Sequence, residues 1–195
     1  TAIGYNALCC NTFGNNNTAI GSCALQYNTT GSNNTAIGYG TLRTNTTGCN
    51  NIALGYQALM CNTIGNNNTA IGQNALCSNT TGSYNIAIGL SSLALNTIGC
   101  QNIAQGVQAL YGNTCGSNNI ALGRGASQWN TTGSNNIAQG YNSLRCNVTG
   151  CFNIAIGRGA LERNISSENL AIGVCSLSCN SVGYHNIAIG NCASY

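Results

Sequence analysis

The tripeptide Ala-Ile-Gly, or a close variant of it, recurs through this chain at a step of 17 residues, with one exception of 16. Its alanine stands at positions 2, 19, 36, 53, 70, 87, 104, 121, 138, 155, 171 and 188. Eleven full copies and a partial twelfth therefore account for all 195 residues. A period this short and strict is typical of a repeat architecture and not of a globular enzyme.

We number each repeat from the residue before the alanine, so that position 2 is Ala and position 4 is Gly in all twelve copies. Short β-branched runs bounded by Asn and Gly predict strands near positions 1–4 and 7–10, because two glycines per repeat disfavour a helix. We therefore predict an all-β fold. It is a parallel β-solenoid, or β-roll, of twelve 17-residue coils, the last one partial, in a single array over residues 1–195.

Asparagine occupies positions 11 and 17 in all eleven full copies. The sequence Asn-Thr-Thr-Gly that begins at position 11 fits a type I turn, with Asn at its first and Gly at its fourth place. When such turns stack in register, their side-chain amides form ladders from coil to coil. The absence of proline agrees with this, since every backbone N–H is then free to pair.

The tenth copy is irregular. Its segment 164–169 lacks the turn glycine and is one residue short, and both acidic residues of the chain, Glu162 and Glu168, lie in this copy. It is open to two interpretations, a tolerated surface irregularity or a bend or contact point.

Composition excludes several functional classes. Five Arg against two Glu give a net charge of +3, and dispersed arginines form no basic stripe, which argues against a nucleic-acid partner. Without Asp there is no Ser/His/Asp triad, and no other catalytic group recurs, so we predict no enzyme activity and no cofactor. The lone His185 and the absence of a Cys-x-x-Cys pair predict no metal site. No run approaches the roughly 20 apolar residues of a membrane span.

Thirteen cysteines point to an oxidising, extracellular compartment. Cys146 and Cys151 bracket one turn, and Cys175 and Cys192 share position 6 of adjacent coils, so both pairs are candidates for disulfides. An odd count leaves at least one thiol free or bonded to another chain. The alternative is that the cysteines are free and pack as small apolar side chains.

N-glycosylation sequons are numerous, but most coincide with a position that the fold itself requires. Asn persists at position 11 even where the sequon is broken, and an inward-pointing ladder of Asn side chains cannot carry a glycan. The candidates are Asn28, Asn45, Asn79, Asn130, Asn147 and Asn164 at position 11, and Asn16, Asn33 and Asn67 at position 16.

The aliphatic row at position 3 is the strongest candidate for a functional surface. Strand alternation places positions 1 and 3 on one face and the alanine of position 2 on the other. If the alanine faces a narrow interior, the row faces outward and forms an interface; the alternative is that the row fills the interior. We favour the outward orientation of the row, because a position that faced solvent would accept residues other than Ala. The predicted self-association stripe is Ile3, Ile20, Ile37, Leu54, Ile71 and Ile88.

The repeat resembles two known families. Its [T/I]-A-I-G core with a glycine corner is similar to the head repeats of YadA-like trimeric autotransporter adhesins. The stretch Asn34-Thr35-Ala36-Ile37-Gly38, with Leu42 and Asn45-Thr46-Thr47-Gly48, resembles the NTAIG-type repeats of phage tail-fibre and bacterial surface proteins. The resemblance implies a trimeric surface rod used for attachment, with a left-handed parallel β-roll in the adhesin heads. The 17-residue period and the cysteine content depart from the adhesin pattern.

We therefore expect an extracellular structural fibre or adhesin segment, at a cell or virion surface, that forms a rigid self-associating rod. The expected partners are copies of itself, as a trimer or an end-to-end filament, and glycans or a host surface. The start inside a repeat, without an initiator Met, indicates a segment of a longer protein. The alternatives are a carbohydrate-binding solenoid that uses Tyr5, Tyr39, Tyr56 and Tyr141 at position 5, and an ice-binding solenoid that uses the threonines of position 12.

Overall fold

A computed structural model describes residues 1–193, and it confirms the predicted parallel β-solenoid with one short strand in each repeat. The strands form one sheet in which each strand pairs with the strands of the preceding and following coils, in chain order. They are β1 (Ala2–Ile3), β2 (Thr18–Ile20), β3 (Thr35–Ile37), β4 (Ile52–Leu54), β5 (Thr69–Ile71), β6 (Ile86–Ile88), β7 (Ile103–Gln105), β8 (Ile120–Leu122), β9 (Ile137–Gln139), β10 (Ile154–Ile156), β11 (Leu170–Ile172) and β12 (Ile187–Ile189).

The register of the sheet follows the repeat. Alanine pairs with alanine at every step, as Ala19 pairs with Ala36. The short tenth copy keeps this register, because Ala155 still pairs with Ala171 although only 16 residues separate them. The missing residue is therefore absorbed in the turn and not in the strand.

The strand predicted near positions 7–10 is wrong. Residues at positions 6 and 8 have left-handed backbone conformations, for example Cys23 (φ 59°) and Leu25 (φ 49°), whereas a strand needs negative φ. This part of each coil is a turn. The turns nevertheless stack through backbone hydrogen bonds between coils, such as Leu25 N to Thr41 O at 3.0 Å.

The core consists of three rows that run along the solenoid. The alanines of position 2, the small residues of position 7 and the leucines of position 8 are almost all fully buried. Coils also approach closely at the glycine of position 4. A Cβ added to Gly89, whose φ is +129°, would lie 2.6 Å from the carbonyl oxygen of Gly106. Only glycine fits such a place, which explains its presence in every repeat.

Two ladders of asparagine amides connect the coils, as predicted. At position 11, the Nδ2 of each Asn from Asn28 to Asn147 donates to the Oδ1 of the preceding coil at 2.7–3.1 Å. At position 17, Asn51 Nδ2 likewise donates to Asn34 Oδ1 at 3.1 Å, and this ladder continues to Asn186. These side chains are mostly buried, so satisfied amide ladders take the place of an apolar core at two corners of the coil.

Candidate functional site

The outer face of the sheet is the most extensive candidate surface. Because the alanines of position 2 are buried, the residues of positions 1 and 3 point outward on every strand. The six residues predicted as the self-association stripe all lie on this face. Ile3, Ile37 and Ile71 are exposed and Ile20, Leu54 and Ile88 are half-buried.

The outer face carries no charged residue. Its polar members are four threonines at position 1 and two glutamines at position 3, and all the others are Ile or Leu. The aliphatic side chains of this face are accessible to solvent, as with Ile52, Ile86 and Ile103, which are 43%, 38% and 36% exposed. A continuous aliphatic patch rimmed by polar residues is typical of a protein interface.

The sequons divide into two groups. The six asparagines at position 11 are fully buried in the ladder, where the same amide holds adjacent coils together. A glycan on any of them would displace that amide, which argues against these six candidates in the folded chain; the modification itself stays a prediction. They are Asn28, Asn45, Asn79, Asn130, Asn147 and Asn164. Position 16 is different, because its side chains are exposed at Asn16, Asn33 and Asn67.

All thirteen cysteines are free thiols in the structure, among them Cys146, Cys151, Cys175 and Cys192. The two disulfides proposed from the sequence therefore stay predictions.

The cysteines of position 15 have a structural role that the sequence analysis missed. Cys151 Sγ accepts a hydrogen bond from the backbone N–H of Ser134 at 3.3 Å.

Serine fills the same place in five of the eleven full coils, as Ser134 Oγ does for the N–H of Ser117 at 3.0 Å. Cysteine at position 15 thus substitutes for serine as an acceptor.

Two other thiols have a raised pKa. The contact with Cys10, at an Sγ–Sγ distance of 3.6 Å, raises the pKa of Cys9. Burial, assisted by the neighbouring Cys77, raises the pKa of Cys61.

The tyrosines of position 5 form a partial surface row. Tyr39 and Tyr56 stack with ring centroids 5.4 Å apart and planes 11° from parallel. Tyr5 and Tyr141 are also exposed, but they lie on separate coils. One stacked pair is therefore available as an aromatic platform.

The two glutamates of the tenth coil contact different neighbouring coils. Glu162 Oε1 lies 3.8 Å from Arg145 Nη1 on the preceding coil, and Glu168 Oε2 lies 3.0 Å from His185 Nδ1 on the following coil. Each glutamate links the tenth coil to a neighbour.

Among residues 1–193, no group of three or more His, Cys, Asp or Glu side chains is placed to hold a metal ion. The described chain contains no helix with the length and hydropathy of a membrane span.

The structure corrects the interpretation of the arginines as dispersed. Coiling brings Arg124, Arg145 and Arg158 onto three consecutive coils around Tyr141, where they line two adjoining clefts. The signal was present in the sequence, because Arg124, Tyr141 and Arg158 are separated by one repeat each and so share position 5.

Comparison with known proteins does not name a family. No protein-family model, no curated protein and no solved structure matches this chain.

Proposed function

We propose that this chain is a segment of an extracellular structural fibre or adhesin, a rigid rod that associates laterally with copies of itself through the outer face of its sheet. The observation that carries the proposal is the uncharged aliphatic surface formed by positions 1 and 3 along twelve strands. The proposal includes no catalytic step, and it places the rod at a cell or virion surface.

The rigidity of the rod has a physical basis in the coil-to-coil contacts. Backbone hydrogen bonds, the close glycine row and the amide ladder of position 17 join successive coils, and the ladder of position 11 joins them as well except between the ninth and tenth coils. A coil cannot tilt or slide without breaking several of these contacts together. Such a construction suits a stalk or spacer, whose function is to hold its shape.

A second copy of the chain is the partner that best fits the sheet face. The face repeats one pattern at the coil spacing, about 4.8 Å, so an identical face can match it row for row. The absence of charge means that no like-charge repulsion opposes this pairing. An aliphatic face of this kind is costly to leave in water.

Sedimentation equilibrium tests the proposal. The double variant Ile37→Lys and Ile71→Lys places two charges on the face and is expected to shift the chain from an oligomer to a monomer. The matched control is Ile64→Lys with Ile98→Lys, since these isoleucines are 50% and 52% exposed at position 13, away from the face. An oligomer that survives the first pair, or a wild-type chain that is monomeric at all concentrations, would overturn the proposal.

Carbohydrate binding is a second candidate function, favoured by the stacked rings of Tyr39 and Tyr56. Sugar rings bind to such aromatic faces through their apolar C–H surfaces. Loss of binding on a glycan array in the variant Tyr56→Ser would support it, because serine already occupies position 5 at Ser22. An unchanged array profile would count against it.

Ice binding has less support. The threonine hydroxyls of position 12 donate to the backbone of the next coil, as Thr80 Oγ1 does to Thr97 O at 3.0 Å. Those donors are not free to order water at the surface. Absence of thermal hysteresis in the purified chain would eliminate this alternative.

A further inference from the structure

Coils eight to ten carry a local pattern that the rest of the array lacks. At position 5 they present Arg124, Tyr141 and Arg158 in consecutive coils, all exposed. At position 6 the same coils have Gly125, Asn142 and Gly159, so an asparagine lies between two residues that have no side chain. The sequence therefore repeats Arg-Gly two coils apart, with Tyr-Asn between them.

The alternation opens two clefts that share Tyr141 and Asn142. One, of about 140 Å³, is lined by Arg124, Gly125 and Arg145. The other, of about 210 Å³, is lined by Arg158, Gly159 and Glu162, whose carboxylate faces Arg145. Each is smaller than the ~300–1,000 Å³ of a site for a drug-sized ligand. A cleft of this size admits a sugar ring or an acid group.

The positive groups at the clefts are available to a ligand. Arg43 and Arg145 are the only arginines of residues 1–193 with side-chain hydrogen bonds, and Arg145 is the only one in a salt bridge. The guanidinium groups of Arg124 and Arg158 thus have no protein partner in the described chain. Because an arginine fork binds a carboxylate or sulfate bidentately, two unpaired forks favour an anion.

Two glutamine amides, the buried Gln128 and the exposed Gln108, fix the third arginine. Gln128, 9% exposed, donates from Nε2 to Gln108 Oε1 at 3.1 Å, and its Oε1 accepts from Arg145 Nε at 3.1 Å. Glu162 contacts the same guanidinium at 3.8 Å. Arg145 is therefore oriented before any ligand arrives, which reduces the entropy lost on binding.

The spacing of the two free arginines selects the ligand. Arg124 and Arg158 are two coil steps apart, about 10 Å along the rod, which is close to the length of two consecutive sugar residues. Tyr141 lies on the coil between them, level with the sugar that would connect two sugars bound at the arginines. We propose that the two clefts bind an acidic polysaccharide that runs along the rod axis, with carboxylate or sulfate groups on alternate sugars held by Arg124 and Arg158, and the sugar between them stacked on Tyr141.

Isothermal titration calorimetry on the full chain tests this site with defined oligosaccharides. The probes are a hyaluronan octasaccharide, with carboxylates on alternate residues, a chondroitin sulfate octasaccharide, which adds sulfates, and neutral chitohexaose. Binding of the acidic probes, weakened by added salt, is the expected result. Preference between the first two probes distinguishes carboxylate from sulfate recognition. Failure of both to bind, or equal binding of chitohexaose, would overturn the proposal.

Matched variants assign the binding to these residues. Arg124→Gln and Arg158→Gln are each expected to weaken the acidic probes by about tenfold, the loss of one charge-assisted contact. Glutamine is compatible with position 5, which already holds Gln73. Tyr141→Ser should also weaken binding. Arg43→Gln removes the same charge outside the clefts and should leave the affinity unchanged.

Two further results would contradict the site. Equal weakening by Arg43→Gln would mean that binding depends on net charge and not on the clefts. Tighter binding of an oligothymidylate of the same charge would assign Tyr141 and the arginines to a single-stranded nucleic acid instead. The self-association proposal is unaffected by either result, since none of these residues lies on the sheet face.

Discussion

Asn164 does not donate to Asn147, and this single missing contact interrupts the amide ladder of position 11. Its Nδ2 bonds Ser166 O at 2.7 Å, within its own coil, and Asn147 Oδ1 is left as the only buried side-chain polar atom without a partner in residues 1–193. The ladder resumes one coil later, where Asn180 donates to Asn164 Oδ1 at 2.8 Å. The ladder of position 17 crosses the same point intact.

The cause is the shortened turn of the tenth coil. Ser166 stands where other coils have glycine, and its hydroxyl donates to Gly183 O at 2.6 Å while lying 3.1 Å from Asn164 Oδ1. In the preceding coil, a Cβ at Gly150 would collide with Asn147 Oδ1. Serine in the equivalent place therefore displaces the Asn164 amide. The sequence irregularity is a defect in one ladder, bridged by Glu162 and Glu168 to the coils on either side.

Repair of the tenth coil should stabilise the rod. Insertion of one threonine between Ile165 and Ser166, combined with Ser166→Gly, restores the regular turn and lets Asn164 reach Asn147. Satisfying one buried acceptor contributes about 1–3 kcal/mol, which corresponds to a rise in Tm of a few degrees measured by calorimetry.

The control for this repair is the same threonine inserted between Ile98 and Gly99 of the sixth coil, where the ladder is complete. That insertion should lower Tm, because it moves Asn96 out of its contacts. If the repaired tenth coil melts at or below the wild-type temperature, the ladder interruption is not a weakness.

A carboxylate in the ladder should be strongly destabilising. In Asn96→Asp the donor to Asn79 Oδ1, at 2.8 Å, is lost, and a buried charge faces that oxygen. We expect a loss of about 3 kcal/mol or more in the free energy of unfolding at neutral pH. The exposed Gln73→Glu makes the same change of charge and should have little effect.

The effect of Asn96→Asp should depend on pH. Burial raises the pKa of the new carboxyl in the folded state, so the part of the loss that comes from the buried charge is absent below the pKa of the unfolded chain, about 4, and grows as pH rises above it. Urea denaturation at several pH values measures this dependence. A loss that is independent of pH would mean that the aspartate reaches solvent.

The glycine row should tolerate no side chain. In Gly89→Ala, the new Cβ meets Gly106 O and the backbone must leave φ +129°, so we expect the coils to separate locally and the chain to unfold at a much lower temperature. Gly40→Asn is the contrasting variant. Its φ of +63° suits asparagine, the nearest atom is 3.6 Å away, and Asn74 already occupies the equivalent place. Equal Tm losses in the two variants would contradict the close-packed row.

Glycan occupancy should follow exposure. When the chain is secreted from a cell that glycosylates asparagine, mass spectrometry of the folded material should find glycans only at Asn16, Asn33 and Asn67. A glycan on a position-11 residue such as Asn79 would break the ladder on both sides. Folded, protease-resistant material that carries a glycan at Asn79 would show that the ladder is not required.

The sequence predicts the repeat geometry well, because each position of the repeat occurs in eleven or twelve copies and so shows which residue types it accepts. Restriction of position 2 to alanine indicated a buried row, and the recurrence of Asn at positions 11 and 17 indicated the ladders. The second strand was predicted wrongly from residue types that also suit turns. Position 8 is mostly leucine, which suggests a strand or core, yet its φ is positive, as at Leu76 (φ 53°).

A subtler signal for these turns was available. Positions 6, 8 and 16 contain no Val, Ile or Thr in any copy, and β-branched residues are the ones that the left-handed region disfavours most. The arginine site was missed for another reason. In the sequence, Arg124 only interrupts the tyrosine row. The stacked coils show that Arg124 and Arg158 line two adjoining clefts that share Tyr141.

The most direct test of the lateral-rod account is cryo-electron microscopy of the purified chain with two-dimensional averages. The account predicts straight rods with a repeat of about 4.8 Å along the axis, more than one chain wide, with the chains in contact at their sheet faces. Rods only one chain wide would contradict self-association through the aliphatic face, and particles without the repeat would contradict the solenoid itself.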